Sequence, residues 1–144
     1  MPIDQAVFLR IDTANGCPGL EGACGETVVS ALLNARDKGW FDLLGFVVLP
    51  REVQLLIVPR AKSAGEVLGS LEAALDSQLD GAKKVFDTDY YREKVDCVEE
   101  VRQRLQWMHL APIRSRLTMR IDAYPYSSAN SRYRSVLPLT ATLM

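Results

Sequence analysis

The chain has 144 residues, of which 48% are hydrophobic and 24% are charged, a composition that fits one globular domain with its own core. Its formal net charge of −1 excludes a uniformly basic nucleic-acid binder. The sequence contains no apolar run long enough to span a bilayer and no N-terminal signal pattern, so we expect a cytoplasmic protein without a membrane partner.

The first half of the chain predicts strands and helices in alternation. Alternating apolar and polar residues are typical of a half-buried strand, whereas apolar residues three and four apart are typical of a helix. Two apolar runs separated only by Pro50-Arg51 should pair antiparallel, and we predict both to be buried central strands. The predicted segments are a strand at 6–12, a glycine-rich loop at 13–25, a helix at 26–38, strands at 43–49 and 53–58, and a helix at 64–79.

The second half predicts one more strand and one more helix. The strand covers 84–95 and has an irregular middle, and the helix covers 97–110 and is ended by Pro112. The apolar stripe of this helix consists of Cys97, Val98, Val101, Leu105 and Met108. The order βαββαβ followed by a helix predicts an α+β protein, a ferredoxin-like split βαβ with an antiparallel sheet plus a C-terminal helix. We place one domain at 1–135 and a C-terminal tail at 136–144.

The cysteines and the single histidine argue against a zinc site. Cys17, Cys24 and Cys97 form no CxxC pair, and His109 has no second histidine to act with it. A disulfide between Cys17 and Cys24 is conceivable, but in a cytosolic protein we expect free thiols. We expect His109 to be a surface or packing residue rather than a ligand.

Charge is divided unevenly along the chain. Residues 1–101 carry 10 Lys/Arg and 17 Asp/Glu, a net charge of −7, whereas residues 102–144 carry seven arginines against Asp122 alone, a net charge of +6. Arginine favours bidentate contacts with an anion such as phosphate, although arginines scattered over several solvated faces would give the same count. The second helix instead carries Glu72, Asp76 and Asp80, which repel phosphate.

Four segments carry a recognisable pattern of residues. They are FDLLGFVVLPREVQLLIVP at 41–59, VFDTDYY at 85–91, VRQRLQWMHLAPIRSRL at 101–117 and YPYSSA at 124–129. They resemble, in the same order along the chain, the blocks "vvMPnHvHlLi", "vWqrgYyd", "lrYihlNPvraGLv" and "ypwSSa" of the HUH-type REP-associated tyrosine transposases. The resemblance covers about residues 6–134 and identifies the domain as transposase-like.

The resemblance implies cleavage of single-stranded DNA by a tyrosine, but this chain departs from the family at the residues that do the chemistry. In the family, two histidines two residues apart hold a divalent cation, and a helical tyrosine attacks the phosphate. Glu52 and Gln54 stand at the histidine positions, Trp107 at the tyrosine position, and Ala111 at an asparagine position. Indole has no nucleophilic oxygen, so we expect no catalytic tyrosine and no tyrosine-mediated cleavage.

Two interpretations stay open both for the pair Glu52 and Gln54 and for Trp107. Glu52 and Gln54 offer oxygen atoms that suit Mg²⁺ or Mn²⁺, but we favour simple polar residues on a solvent-facing strand surface and expect no cofactor. Trp107 lies off the core stripe of its helix and should face the former catalytic groove. There it either stacks on an unpaired base or fills the groove against Val53 or Gln54.

These observations predict a transposase-like protein that binds single-stranded or hairpin DNA and is catalytically inactive. The expected DNA-binding residues are Arg102, Arg104, Arg114, Arg116, Arg120 and Tyr126. A domesticated protein-interaction module is the alternative, and a metal-dependent nuclease that uses Glu52 and a water nucleophile is a third. The sequence leaves a homodimer open.

Overall fold

The computed structural model describes residues 5–14, 19–20, 22–78 and 85–137, together with Thr140 and Leu143. Cys17 and Lys84, which belong to predicted segments, lie outside these residues. No helix in the described ranges is long and apolar enough to cross a membrane. The elements are β1 (Ala6–Thr13), α1 (Ala23–Asp37), β2 (Phe41–Leu49), β3 (Glu52–Pro59), α2 (Ala64–Gln78), β4 (Phe86–Val95), α3 (Val98–His109), the short α4 (Ala111–Arg114) and a 3-10 helix at Ser131–Tyr133.

The sheet confirms the predicted α+β fold. In the described part of the chain, four strands lie in the order β2-β3-β1-β4, and each neighbouring pair is antiparallel. The irregular middle predicted for β4 corresponds to a register shift opposite Ile11 and Thr13 of β1. This strand order is that of the split βαβ arrangement.

One prediction about the sheet is wrong, because β2 is an edge strand rather than a central one. Its side chains are nevertheless buried, because they pack in the core clusters on both faces of the sheet, while the segment 124–129 runs along its free edge. Val48 N donates to Tyr126 O at 2.8 Å, and Ser128 N donates to Phe46 O at 2.9 Å. The apolar run of β2 therefore reflects packing on both faces of the sheet, whereas the segment 124–129 provides hydrogen-bond partners for backbone groups at the free edge.

The two faces of the sheet have separate cores. Val53, Leu55 and Ile57 of β3 pack in the cluster that contains the apolar residues of α1 and α2. Leu56 and Val58 belong to the opposite cluster, which contains the buried residues of α3. Because side chains alternate along a strand, Gln54 lies on the α3 face.

Helix α3 comes unusually close to β2. A Cβ atom added to Gly45 would lie 2.3 Å from Leu105 Cδ1, so glycine is needed where the helix crosses the strand. Val101, Leu105 and Met108 are buried as predicted. Cys97 and Val98 are exposed, and this part of the predicted stripe is wrong because the contact with the sheet begins one turn later.

One helix begins earlier than predicted, and part of the predicted C-terminal tail is buried. Helix α1 begins at Ala23, inside the segment predicted as a loop. Of the predicted tail at 136–144, the residues Leu137, Thr140 and Leu143 are buried, and Thr140 Oγ1 donates to Leu44 O at 2.5 Å. Cys24 and Cys97 are free cysteines.

Candidate nucleic-acid interface

The candidate site lies on the α3 face of the sheet, where three strands bring side chains into one row. Gln54 of β3 is registered opposite Arg10 of β1, and Arg10 is registered opposite Tyr91 of β4. Neighbouring strands are about 4.8 Å apart, so this row is roughly 10 Å across. One row further along β1, Asp12 is registered opposite Glu52.

Glu52 and Gln54 are joined to each other. Gln54 Nε2 donates a hydrogen bond to Glu52 Oε2 at 2.5 Å. The Gln54 side chain is buried, with 2% of the residue exposed, and its Oε1 has no hydrogen-bond partner among the described residues. The interpretation of Gln54 as a solvent-facing residue is therefore wrong, whereas Glu52 at the start of the strand is only partly buried.

The present arrangement of the two side chains does not fit a divalent cation held between them. Mg²⁺ and Mn²⁺ are held by oxygen atoms, but the amide turns its nitrogen toward the carboxylate. A cation between the two side chains would have to break this hydrogen bond and reverse the amide. Among the described residues no cluster of three or more His, Cys, Asp or Glu side chains could hold a metal ion.

Trp107 projects from α3 over β1. Its ring lies 6.0 Å from the ring of Phe8 in an edge-to-face arrangement, and the residue is 38% exposed. The guanidinium carbons of Arg104 and Arg114 lie 5.1 and 4.4 Å from the centroid of the indole ring. Cationic groups at these distances are attracted by the negative face of the ring.

Trp107 thus fills part of the groove, but not in the way that the sequence predicted. It packs on Phe8, whereas Val53 belongs to the core on the opposite face of the sheet. Packing of Trp107 against Val53 is excluded, because residues 52, 53 and 54 alternate between the two faces. The exposed part of the indole is still available to a ligand.

A hydrogen-bond network of Tyr91, Glu93 and Arg104 lies next to Trp107 and sets the charge states of Tyr91 and Glu93. Arg104 Nη2 donates to both carboxylate oxygens of Glu93 at 2.8 Å, and Tyr91 Oη donates to Glu93 Oε2 at 2.5 Å. The hydrogen bond to Glu93 raises the pKa of Tyr91, and the hydrogen bonds from Tyr91 and Arg104 lower the pKa of Glu93. At neutral pH Tyr91 is therefore a neutral phenol, and Glu93 is a carboxylate that balances the charge of Arg104.

The remaining predicted DNA-binding residues lie in different places. Arg114 is exposed beside Trp107, whereas Arg102 lines a groove on the other side of α3. Arg116 is exposed at a backbone φ of 59°, and Arg120 forms an ion pair with Asp122 at 2.9 Å. Of the predicted arginines, the structure brings Arg104 and Arg114 together around Trp107.

Tyr126 is held at the start of α1 instead. Its hydroxyl donates to Gly22 O at 3.0 Å, and its ring lies edge-to-face with that of Tyr124 at 5.7 Å. A Cβ atom on Gly25 would come within 2.9 Å of the Tyr126 ring. These contacts give Tyr126 a packing role in the structure.

Sequence reasoning missed Arg10. Its side chain is exposed, its guanidinium carbon lies 5.9 Å from the centroid of the Tyr91 ring, and it forms no ion pair within the described ranges. Alternation in the first strand places Arg10 on the same face as Phe8, but only the register with β3 and β4 reveals its neighbours. We refer to Arg10, Tyr91, Arg104, Trp107 and Arg114 as the Trp107 surface.

His109 is a packing residue at the other edge of α3. It is 4% exposed, and its Nε2 lies 2.7 Å from Ser128 Oγ, which also accepts a hydrogen bond from Phe46 N. Burial lowers the pKa of His109 to about 4, so the imidazole is neutral at neutral pH. The pair links α3 to β2 through the segment 124–129.

The overall architecture was compared with those of known proteins. No protein-family model and no curated protein matches the sequence. A solved structure of a REP-associated tyrosine transposase bound to a REP hairpin matches with a TM-score of 0.77 and 12% identity, over 94% of this chain and 82% of that chain. A crystal structure from Deinococcus radiodurans R1, described as that of a transposase, matches with a TM-score of 0.53 and 16% identity, over 71% of this chain and 85% of that chain.

These likenesses establish the fold. The chain has the fold of the REP-associated tyrosine transposases over nearly its whole length. The four sequence blocks indicate the same fold.

Proposed function

We propose that this protein is a degenerate member of the REP-associated tyrosine transposase family that binds single-stranded or hairpin DNA without cutting it through a tyrosine. Two independent lines support membership: the ordered blocks at 41–59, 85–91, 101–117 and 124–129, and the fold shared with a transposase whose structure contains a REP hairpin. The combination is more specific than the fold alone, which supports many functions.

The observation that carries the binding proposal is the Trp107 surface. An exposed indole next to arginines combines the two elements that bind unpaired nucleic acid, an aromatic platform for a base and cations for the backbone. Arg114 and Arg10 take part in no ion pair within the described ranges, so both are available to phosphate groups. Each base stacked on such a platform contributes about 1–3 kcal/mol.

The chemistry of the same residues supports the proposed lack of tyrosine-mediated cleavage. Trp107 stands where the family has its nucleophile, and indole nitrogen is a hydrogen-bond donor only. Tyr91 lies nearby, but it projects from β4 rather than from α3, and its hydroxyl hydrogen is held by Glu93. A cation bound between Glu52 and Gln54 to polarise a scissile phosphate would first have to break the hydrogen bond that joins them.

Fluorescence anisotropy with labelled hairpin and single-stranded oligonucleotides tests the binding proposal. We expect binding at low salt that weakens steeply as salt is added, because phosphate contacts release counterions. Arg114→Ala should weaken binding about tenfold, the loss expected for one charge-assisted hydrogen bond. Arg134→Ala is the matched control, because it also removes an exposed arginine but not one of the Trp107 surface. Its neighbour Tyr133 packs into the core on the α1–α2 face, whereas the Trp107 surface lies on the α3 face.

The outcomes separate binding from cleavage. A gel assay of the same oligonucleotides with Mg²⁺ or Mn²⁺ should show intact DNA and no covalent protein–DNA product. If neither oligonucleotide binds at low salt, the binding proposal is refuted. A covalent adduct that survives denaturation would refute the proposed lack of tyrosine chemistry.

A protein-interaction role is the second candidate, and one feature favours it. A largely apolar groove of about 350 Å³ lies on the other side of α3. Leu110 and Ile121 line it and are 40% and 41% exposed. Size-exclusion chromatography with light scattering would detect a homodimer formed through this groove, and Ile121→Asp should then restore a monomer.

A further inference from the structure

Arg10 occupies a special position relative to the degenerate cation site. It is the cross-strand neighbour of Gln54 on β3 and of Tyr91 on β4, and its side chain shares the α3 face with both. A guanidinium here places a fixed positive charge one strand away from the pair that would otherwise have to hold a divalent cation.

The charges around Arg10 leave it available to an anion. Glu93 is engaged by Arg104 and Tyr91, and Glu52 accepts the amide hydrogen bond of Gln54. Asp12 is exposed one row further along β1, toward the end of the strand that leads away from Phe8 and Trp107. On the Trp107 side of Arg10, the neighbouring carboxylate on the same face is that of Glu93, and it is already engaged.

The geometry also supplies a second contact for the same strand of nucleic acid. Phe8 lies two residues before Arg10 on the same face of β1, about 7 Å away, and Trp107 packs directly on it. The guanidinium of Arg114 lies over the Trp107 ring. Arg10 and Arg114 thus border the exposed aromatic surface formed by Tyr91 and Trp107 from two sides.

We infer that Arg10 supplies the positive charge that a divalent cation at Glu52 and Gln54 would otherwise provide to a DNA phosphate, so that DNA binds at the Trp107 surface without a metal ion. The inference rests on the proposed function and adds the position and the chemistry of the phosphate contact. The reason is physical: the Glu52–Gln54 pair is closed by its own hydrogen bond, and Arg10 is a permanent cation at the adjacent position. Guanidinium binds phosphate with paired N–H donors and stays charged at any pH that the fold survives.

The test measures anisotropy with labelled single-stranded and hairpin DNA for the wild type, Arg10→Ala, Arg10→Lys and Arg92→Ala. Arg92 is the matched control, because it is an exposed arginine on the adjacent strand β4 that projects from the opposite face of the sheet. Each protein is measured at several salt concentrations, in EDTA and with Mn²⁺ added. Circular dichroism melting verifies that the variants are folded, as expected for exposed positions.

We expect EDTA to leave the wild-type affinity unchanged within about twofold. Arg10→Ala should weaken binding about tenfold and lower the salt slope by about 0.7, the value for one contact to a single strand. Arg10→Lys should recover part of the affinity, and Arg92→Ala should stay near the wild type.

Two different failures can be told apart. If the wild type binds neither oligonucleotide, the proposed function fails and the inference fails with it. If the wild type binds but Arg10→Ala resembles Arg92→Ala, the inference alone is overturned. Loss of wild-type binding in EDTA, with recovery in Mn²⁺, would likewise overturn it while leaving DNA binding intact.

Discussion

Replacement of Gly45 by alanine tests how closely α3 is tied to the sheet. The added Cβ would lie 2.3 Å from Leu105 Cδ1 and 3.3 Å from Ser128 Oγ, and Leu105 is 1% exposed, so the leucine has little room to move. Overpacking of this kind costs about 1–3 kcal/mol. Alanine in a strand regains about 0.5–1 kcal/mol through the lower entropy of the unfolded chain, so we expect a net loss of about 1–2 kcal/mol.

Urea unfolding of a double-mutant cycle measures this strain. Leu105→Ala alone should cost about 2–5 kcal/mol because it leaves a cavity. In the Gly45→Ala/Leu105→Ala double mutant the two effects offset each other, so the total should fall short of the sum by about 1–3 kcal/mol. Additive losses, or a Gly45→Ala variant as stable as the wild type, would refute the close approach of α3 to β2.

Three further results are expected. Trp107→Ala should weaken binding of single-stranded DNA about 5- to 150-fold if one base stacks on the indole, and Trp107→Phe should lose less, as measured by anisotropy at fixed salt. Glu52→Ala should leave the cleavage assay with Mn²⁺ unchanged, and cutting that depends on Glu52 would instead support the water-nucleophile alternative. Burial lowers the pKa of His109 from 6.5 to about 4 in the folded protein. Between these two pH values His109 is protonated in the unfolded chain but not in the folded protein, so the free energy of unfolding falls as the pH is lowered from about 6.5 to 4. The loss amounts to about 3 kcal/mol, and urea unfolding at pH 7, 5.5 and 4 should show a shallower decline for His109→Gln, whose amide does not titrate.

Periodicity in the sequence was sufficient for the order of the elements and for the β2–β3 hairpin. It was not sufficient for strand positions, because an apolar run reports burial and not what causes it. The segment 124–129, rather than another strand, buries the edge of β2. A late stretch of irregular backbone has no periodicity from which this role could have been predicted.

In the candidate site, too, some features could be predicted from the sequence and others could not. The tryptophan at position 107, where the family resemblance would place a tyrosine, could be read from the sequence, since the comparison depends on residue type and on a position within a motif. The burial of Gln54 and the neighbourhood of Arg10 could not, because both depend on which residues face each other across strands far apart in the sequence. The arginine-rich C-terminal third likewise gave the sign of the charge but not its distribution around α3.

The backbone hydrogen bonds between the segment 124–129 and β2 have a consequence while the ribosome synthesises the chain. Strand β2 leaves the ribosome some 80 residues before its cover does, and until then Phe46 and Val48 present unpaired backbone groups along an apolar edge. Such an edge invites pairing with other chains. A nascent or truncated product that ends after α3 is therefore expected to aggregate. The segment 124–129 thus protects the edge strand β2 from pairing with other chains.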